Sequence, residues 1–264
     1  MNQVNIRRLG WAGAEIEYNG ETLLIDYILD TSPLPMQDPS ERFPVASYPG
    51  QASVALLTHL HADHADAEAL QNALQKRAPV FRPEKATGGE ADLTLTEYAE
   101  NKLTNHPLSA EILDVWAERR VSSFTIYSAP SVDGFGDVQL SWMIECGGKR
   151  IFHAGDTIFH SYWWRIKNRF GSPDVAFLPI NAAIVEFPFL QPASPLAAVL
   201  SPEGAAVAAH ILGAKCVVPI HYHSLHKPPQ YIETPHATER LEANLKPYHI
   251  DARISKPGEW FTIE

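Results

Sequence analysis

The sequence predicts an α/β fold, with residues 1–264 forming a single domain. Short apolar runs of strand length recur along the chain, separated by turns rich in glycine, proline and asparagine. Segments of helical composition lie between some of these runs, and three of the runs end at histidine or aspartate. The chain is 45% hydrophobic and 20% charged, which is ordinary globular composition, and no change in composition marks a linker.

The first elements are predicted to be strands of a meander. Residues 4–9 and 14–18 are strand-like, and apolar and polar side chains alternate in the second of them. Asn19-Gly20 supplies the pair of residues that a two-residue hairpin turn requires, so residues 22–26 form the returning strand. Proline and serine then dominate residues 31–50, which are predicted to be a long surface loop.

The remaining elements follow from similar patterns. A helix is indicated by Ser201 as N-cap, Pro202 in its first turn and Gly213 at its end. Gly147-Gly148 predicts a second hairpin turn. Further strands are predicted at residues 54–58, 123–127, 138–145, 150–153, 173–179 and 216–220, and further helices at residues 65–76, 95–103 and 110–120.

Charge and apolar patterning exclude several function classes. The net charge of −10 disfavours binding to a phosphate backbone, which needs clustered cations, so no nucleic-acid partner is expected. No apolar run reaches the length of a membrane span, and the first residues lack the apolar segment of a secretory signal. Cys146 and Cys216 form no metal or disulfide pattern. We therefore expect a cytoplasmic protein with a small-molecule substrate and no membrane partner.

The strongest chemical signal is the run His59-Leu60-His61-Ala62-Asp63-His64, directly after the strand at residues 54–58. Imidazole nitrogens and carboxylate oxygens are the ligands that zinc-type ions prefer. Two histidines separated by one residue can face one ion from a tight loop, while Asp63 and His64 turn towards a second ion. The alternative is a solvated loop that happens to be rich in histidine.

Two later segments place ligand-type residues just beyond predicted strands. Asp156 follows the strand at residues 150–153, with Gly155 allowing a close backbone approach, and His221 follows the strand at residues 216–220. Strand ends that converge on one edge would bring these residues to the histidine run. The order His-x-His-x-Asp-His, then Gly-Asp-Thr, then Pro-Ile-His resembles the metallo-β-lactamase superfamily. Residues 9–13, Ile25-Asp26 and Leu178-Pro-Ile180 are similar to its L-ascorbate-6-phosphate lactonase-like branch of metal-dependent hydrolases.

This resemblance implies a four-layer αββα sandwich with two divalent metal ions, zinc first and manganese as the alternative, and a possible homo-oligomer. His59 and His61 would hold the first ion, and Asp63, His64 and His221 the second, with Asp156 bridging them. The family usually has a further histidine where this chain has Asp133. Asp133 is either a ligand in its place, which favours harder ions, or an ordinary turn residue before Gly134, with His106, His160 or His223 as substitutes.

The activity implied is hydrolysis of a small ester-, lactone- or phosphodiester-like substrate by a metal-bound hydroxide. Asp63 is the predicted catalytic residue, orienting the hydroxide or taking its proton. His160 and His223 are predicted substrate-binding residues, and Arg165, Lys167 and Arg169 are the cations that would attract an anionic substrate. Two alternatives stay open. One is a metal-binding, non-catalytic member of the superfamily, favoured by Asp133. The other is a diiron redox protein, in whose branch glutamate replaces His61.

Overall fold

Two seven-stranded sheets form the centre of the computed structural model, which describes residues 3–263. The first sheet has the order β16-β1-β2-β3-β4-β5-β6, and the second the order β15-β13-β11-β10-β9-β8-β7. The strands of the first sheet are β1 (Val4–Arg8), β2 (Ala14–Tyr18), β3 (Glu21–Ile25), β4 (Val54–Leu56), β5 (Pro79–Arg82), β6 (Ser109–Ile112) and β16 (Phe261–Ile263). Those of the second are β7 (Glu118–Val121), β8 (Phe124–Pro130), β9 (Leu140–Cys146), β10 (Lys149–His153), β11 (Val175–Pro179), β13 (Cys216–Ile220) and β15 (Asp251–Ala252).

The remaining elements are six helices and a two-stranded ribbon within the described residues. The ribbon pairs β12 (Ile184–Val185) with β14 (Tyr231–Ile232). The helices are α1 (Ala67–Ala73), α2 (Glu90–Leu93), α3 (Glu97–Asn105), α4 (Trp163–Phe170), α5 (Pro202–Leu212) and α6 (Ala237–Leu245), the last followed by a 3-10 turn at Lys246–Tyr248. None of these helices, from residue 3 to residue 263, has the length and apolar character needed to cross a membrane.

Three buried apolar clusters define the layers. One combines side chains of both sheets, such as Ile16 and Leu23 of the first and Ile126 and Trp142 of the second, so the two sheets pack face to face. A second joins the outer face of the second sheet to α4, α5 and α6, and a third joins the first sheet to α1 and α3. This arrangement of helix, sheet, sheet and helix layers confirms the predicted αββα sandwich.

Several local predictions are confirmed closely. The Asn19-Gly20 turn joins β2 and β3 in an antiparallel pair with Tyr18 opposite Glu21, and both turn residues have positive φ, at 58° and 76°. Gly147-Gly148 joins β9 and β10 in the same way. Helix α5 has Ser201 as its N-cap, with the Ser201 side chain accepting a hydrogen bond from the Gly204 amide, and Gly213 ends it in the left-handed region.

The helix predicted at residues 110–120 is wrong. This segment instead contains β6, which pairs parallel with β5, and β7, which pairs antiparallel with β8. Both are edge strands of their sheets, and charged side chains are typical of edges because they oppose further pairing. The Arg119 guanidinium donates two hydrogen bonds to Glu111 Oε1, at 2.8 and 2.6 Å, and links the two edges.

The strand directions bring the predicted ligand residues to one end of the sandwich. In the first sheet β3 and β4 run parallel, so Asp26 and the loop at residues 57–64 leave the same edge. In the second sheet β10, β11 and β13 run parallel, so Asp156, Asn181 and His221 follow neighbouring strand ends. Carboxyl ends of parallel strands meet at one edge, which is where sites form in open sheets.

Candidate metal centre

The predicted ligand residues meet in overlapping groups at this edge. Ligand atoms of Asp63, His64, Asp156 and His221 all lie within 4.8 Å of one another. The same holds for those of His59, His61 and Asp63, so Asp63 belongs to both groups. Apart from Asp63, which is partly exposed, these side chains are buried. The structure therefore brings together six predicted ligands: His59, His61, Asp63, His64, Asp156 and His221.

Three of the histidines are held through Nδ1 by a surrounding layer of polar groups. His64 Nδ1 lies 2.8 Å from Asp26 Oδ2, and His221 Nδ1 lies 3.1 Å from Asn181 Oδ1. His59 Nδ1 lies 3.0 Å from the Thr58 hydroxyl, which itself donates to Asp26 Oδ2 at 2.7 Å. With Nδ1 engaged in this way, Nε2 is the atom that each ring turns towards the centre of the group and would offer to a metal ion.

His61 is held in the opposite sense. Its Nε2 lies 2.8 Å from Asp137 Oδ2, so Nδ1 is the atom that it presents to the group containing His59 and Asp63. Sequence reasoning did not select Asp137. Its position four residues after Asp133, in a loop with Gly134 and Gly136, was the available signal.

The three Nε2 atoms converge on Asp156. His221 Nε2 lies 2.6 Å from Asp156 Oδ2, His64 Nε2 lies 3.1 Å from Oδ1, and His59 Nε2 lies 4.0 Å from Oδ2. These three Nε2 atoms and Asp156 Oδ1 are buried, yet none has a hydrogen-bond partner among the described residues. Several buried, unsatisfied nitrogens and a carboxylate pointing at a common centre are costly in water-free surroundings. A bound cation would satisfy all of them, so the residues fit a metal.

Electrostatics within the group are consistent with a set of anionic carboxylates. Burial alone would raise the pKa of Asp156, but the neighbouring His221 and His64 lower it well below its usual range. Burial would also raise the pKa of Asp63, and His64 and His221 lower that pKa in the same way. Burial lowers the pKa of His59, which favours the neutral imidazole that a metal ligand needs. The carboxylates of Asp156 and Asp63 outweigh burial at His64 and His221 and raise the pKa of both.

Asp133 lies beside the first group. Its ligand atom lies within 4.8 Å of those of His61 and Asp137, in a third set of possible ligands. Its Oδ2 also accepts hydrogen bonds from the amides of Phe135, at 2.7 Å, and Asp137, at 3.2 Å. The Asp133 side chain therefore accepts hydrogen bonds within the predicted turn and also lies beside the metal group.

The two predicted substrate-binding histidines lie away from this group. The His160 ring stacks on Trp163 of α4 with centroids 4.1 Å apart, and burial lowers the pKa of His160 to about 4. His223 is exposed, and its amide donates to Glu233 Oε1 at 2.7 Å. The cavity beside the metal group is lined by neither of them. His106 ends α3, where its Nδ1 contacts the Lys102 carbonyl at 2.7 Å.

Backbone and outer-layer contacts that the sequence did not suggest hold the group in place. Trp11 Nε1 donates to Asp63 Oδ2 at 2.9 Å, and the His221 amide donates to the Trp11 carbonyl at 2.9 Å. Asp26 and His221 have φ values of 45° and 57°, and residues other than glycine rarely adopt this region. Such strain persists where the surrounding structure holds it and is concentrated at functional sites.

A fold with two facing sheets, outer helices and a histidine-aspartate group at one edge defines a class of metalloprotein. The profile of the family described as Beta-lactamase superfamily domain matches residues 22–222 of the chain. The chain therefore belongs to this family, and the predicted membership of the metallo-β-lactamase superfamily is confirmed.

Curated relatives agree over most of their length. The chain is 30% identical over 229 residues to a UPF0173 metal-dependent hydrolase of Geobacillus thermodenitrificans, covering 81% of this chain and 84% of the relative. It is 26% identical over 262 residues to another of Thermococcus onnurineus, covering 97% and 98%. The predicted lactonase-like branch finds no support at this level.

Two solved structures share the fold. One is Igni18, described as a novel metallo hydrolase from the archaeon Ignicoccus hospitalis, with a TM-score of 0.67, 20% identity and coverage of 99% and 98%. The other is CmlA, a diiron β-hydroxylase from Streptomyces venezuelae, with a TM-score of 0.72, 14% identity and coverage of 99% of this chain and 54% of that one. At these identities the likeness concerns the fold alone.

Proposed function

We propose that this protein is a metal-dependent hydrolase that adds water to a small ester-, lactone- or phosphodiester-type substrate at the edge formed by His59, Asp156 and His221. The observation that carries the proposal is the set of three buried Nε2 atoms without hydrogen-bond partners, each on a ring whose Nδ1 is already held. Such an arrangement orients imidazoles for a cation.

Two divalent ions, zinc first and manganese as the alternative, are the proposed cofactors. When bound, such ions lower the pKa of water and polarise a carbonyl oxygen. His59 and His61 would hold one ion, and Asp63, His64 and His221 the other. Asp156 would lie between them, because its Oδ2 lies 4.0 Å from His59 Nε2 on one side and 2.6 Å from His221 Nε2 on the other. Asp133 would contribute to the side of His61.

Hydrolysis requires one water molecule for each bond broken. Its hydroxyl joins the acyl carbon or the phosphorus, the bond from that atom to the leaving oxygen breaks, and the second hydrogen goes to the leaving oxygen. Asp63 lies at the centre of the group and remains ionised, since the nearby histidines lower its pKa. A carboxylate of low pKa is a weak base. We therefore assign Asp63 the role of orienting the attacking water, with Trp11 fixing its Oδ2.

The test is metal content and activity measured on the same preparations. We expect about two equivalents of zinc or manganese per chain, and hydrolysis of at least one ester, lactone or phosphodiester. A chelator should abolish this activity. Asp156→Asn keeps the shape of the side chain but removes its charge. We expect it to lose at least half of the metal and at least about 10²-fold in kcat/KM, since losses of this size follow even changes outside the ligand set. Glu242→Gln, an exposed position on α6, is the matched control.

Other results would favour other functions. Full metal content without hydrolysis of any substrate would favour the non-catalytic metal-binding protein. A coloured preparation containing two irons per chain would favour the diiron alternative. Unchanged activity in Asp156→Asn would reject the proposed site.

A further inference from the structure

A cavity of about 260 Å³ opens directly onto the metal group. Its floor contains His61, Asp63, Asp156 and His221, and Asp133 lies at its side. This is the size of space that holds a small ligand rather than a polymer. The remaining walls come from segments far apart in sequence, so they decide which small molecule fits.

Those walls are apolar. They include Leu34 from the loop at residues 31–50, Leu95 before α3, Phe135 and Phe187, and Leu225 beyond β13. Phe135 lies between two aromatic neighbours, with its ring centroid 6.1 Å from that of His61 and 6.0 Å from that of Phe187. The apolar wall and the metal group are therefore adjacent. A substrate whose reacting carbon lies at the metal group also contacts this wall.

Within residues 3–263, no lysine or arginine lines this cavity. The cations suggested by the sequence for an anionic substrate are engaged elsewhere. Arg165 lies over the ring of Trp116, with its Cζ 5.7 Å from the centroid, and Arg169 lies over the same ring at 5.1 Å. The carboxylates of Asp63, Asp133 and Asp156 would already offset most of the charge of two divalent ions. A phosphate-type substrate would therefore find little positive charge beyond those ions.

Tyr231 offers a neutral hydrogen-bond donor to the cavity. Tyr231 of β14 lines it, and its hydroxyl accepts a hydrogen bond from Asn181 Nδ2 at 3.0 Å, so its proton remains available for donation. Burial, with Asp156 and Asp63 nearby, raises the pKa of Tyr231 well above its ordinary value, so the phenol stays neutral. Asn181 also holds His221, which ties the position of the donor to that of the metal group.

We infer that the substrate is an uncharged carboxylic ester or lactone with a small apolar body, whose carbonyl oxygen accepts a hydrogen bond from Tyr231, and that phosphodiesters are excluded. The inference rests on the proposed function and narrows it. An apolar wall without cations discriminates against an anion through the cost of desolvating it. A donor aimed at a carbonyl oxygen stabilises the charge that develops there during hydrolysis.

The first experiment compares substrates on the metal-loaded protein. The probes are p-nitrophenyl butyrate, δ-valerolactone and bis(p-nitrophenyl) phosphate. We expect kcat/KM for the butyrate ester to exceed that for the phosphodiester by at least 100-fold. Equal or greater turnover of the phosphodiester would overturn the inference and leave the proposed hydrolase function intact.

A second experiment adds a cation to the wall. Leu34→Lys introduces a charge at a partly buried loop position outside the metal group. Ile112→Lys adds the same charge at an exposed position that does not line the cavity and is the control. We expect Leu34→Lys to lower kcat/KM for the butyrate ester by about tenfold and to raise it for the phosphodiester, with Ile112→Lys close to wild type. If Leu34→Lys changes kcat/KM for neither substrate, the apolar wall does not select the substrate.

Tyr231→Phe tests the donor. We expect a fall in kcat of about 10²-fold for the butyrate ester, a smaller change in KM, and unchanged metal content, since removal of such a donor has this size of effect. Tyr27→Phe is the matched control, because Tyr27 is a buried phenol that accepts the Ala46 amide at 3.0 Å and does not line the cavity. Equal kcat in both variants would reject the role of Tyr231.

Ligand binding to the metal-loaded protein separates the inference from the hydrolase proposal, because it requires no hydrolysis. Ligand-observed NMR would compare caprolactam, a neutral cyclic amide, with diethyl phosphate, an anion of similar size. We expect caprolactam to bind at least tenfold more tightly and Leu34→Lys to reverse this order. If no substrate is hydrolysed, the hydrolase proposal fails, but this comparison of binding still tests the inferred substrate class. Tighter binding of diethyl phosphate than of caprolactam would overturn the inference.

Discussion

Asp26 shows how a residue outside the metal group controls a residue inside it. Its Oδ2 lies 2.8 Å from His64 Nδ1, and its Oδ1 accepts the Thr58 amide at 2.8 Å. The carboxylate is buried and connects His64 to the loop that carries His59. It therefore sets the ring orientation of one histidine directly and influences that of the other through the Thr58 hydroxyl.

Asp26→Asn is expected to weaken metal binding by about 10- to 100-fold, because the amide lacks the charge that holds the protonated Nδ1. Asparagine tolerates the positive φ at this position, so the protein is expected to fold. Competition with a chromogenic chelator would measure the affinity. Asp38→Asn, which changes an exposed carboxylate that accepts from Ser40, is the control. Wild-type affinity in Asp26→Asn would show that the contact does not orient a ligand.

Local motifs identified the members of the metal group but not the groups that hold them. His59, His61, Asp63, His64, Asp156 and His221 were selectable because imidazole and carboxylate are ligand types that recur at strand ends. Asp137, Asn181, Trp11 and Tyr231 carry no such mark, since aspartate, asparagine and aromatic residues are common in turns and cores. Their contacts join distant segments: 76 residues separate His61 from Asp137, and Trp11 and His221 are farther apart still.

At the scale of elements, the turn at residues 133–137 meets the segment at residues 183–200. A Cβ on Gly134 would overlap the backbone carbonyl of Ala198. This close approach places Asp133 and Phe135 against the cavity that Ala198 also lines. The glycine is therefore required by packing between two loops.

Gly134→Ala is expected to lower the free energy of unfolding by about 1–3 kcal/mol, because the backbone must shift to make room for the methyl group. We also expect weaker metal binding, since the turn carries Asp133 and Asp137. Chemical denaturation followed by circular dichroism would measure the change. Gly89→Ala is the control, because its added Cβ would meet no atom closer than Asp92 Oδ2 at 3.6 Å. Equal stability of the two variants would contradict this account.

Most strands were predictable because alternation and turn residues are local signals. The segment at residues 110–120 was mistaken for a helix because its charged residues suit an exposed helix as well as an edge strand. All four side chains of β6 are exposed, so no buried face revealed a period of two. Its pairing with β5 involves residues about thirty positions apart, which no local window contains.

At the scale of the whole molecule, metal binding is expected to stabilise the fold. The ligands come from both sheets. A bound ion therefore connects the loop after β4 in the first sheet with the loop after β10 in the second, which unfolding would separate. At a metal concentration 100 times its dissociation constant, the gain is about 2.7 kcal/mol. For a chain of this length this corresponds to a rise in Tm of about 5–10 °C.

Differential scanning calorimetry with and without chelator would measure this shift in Tm. We expect a smaller shift in Asp156→Asn, because this variant binds less metal. We expect one cooperative transition in either state, because side chains of both sheets share one core and the chain is predicted to be a single domain. Two separate transitions would reject the single domain. An unchanged Tm on adding zinc and manganese would argue against the metal group.

The sequence by itself determined the α/β class, the hairpins at Asn19-Gly20 and Gly147-Gly148, and the ligand types at the strand ends. Those features depend on neighbouring residues, through backbone preference, alternation and coordination chemistry. Only the tertiary structure decided that Asp26, Asp137 and Asn181 hold the histidines, and that an apolar cavity with Tyr231 faces the metal group. Those features depend on the meeting of distant segments, and burial of apolar surface in the shared core holds these segments together.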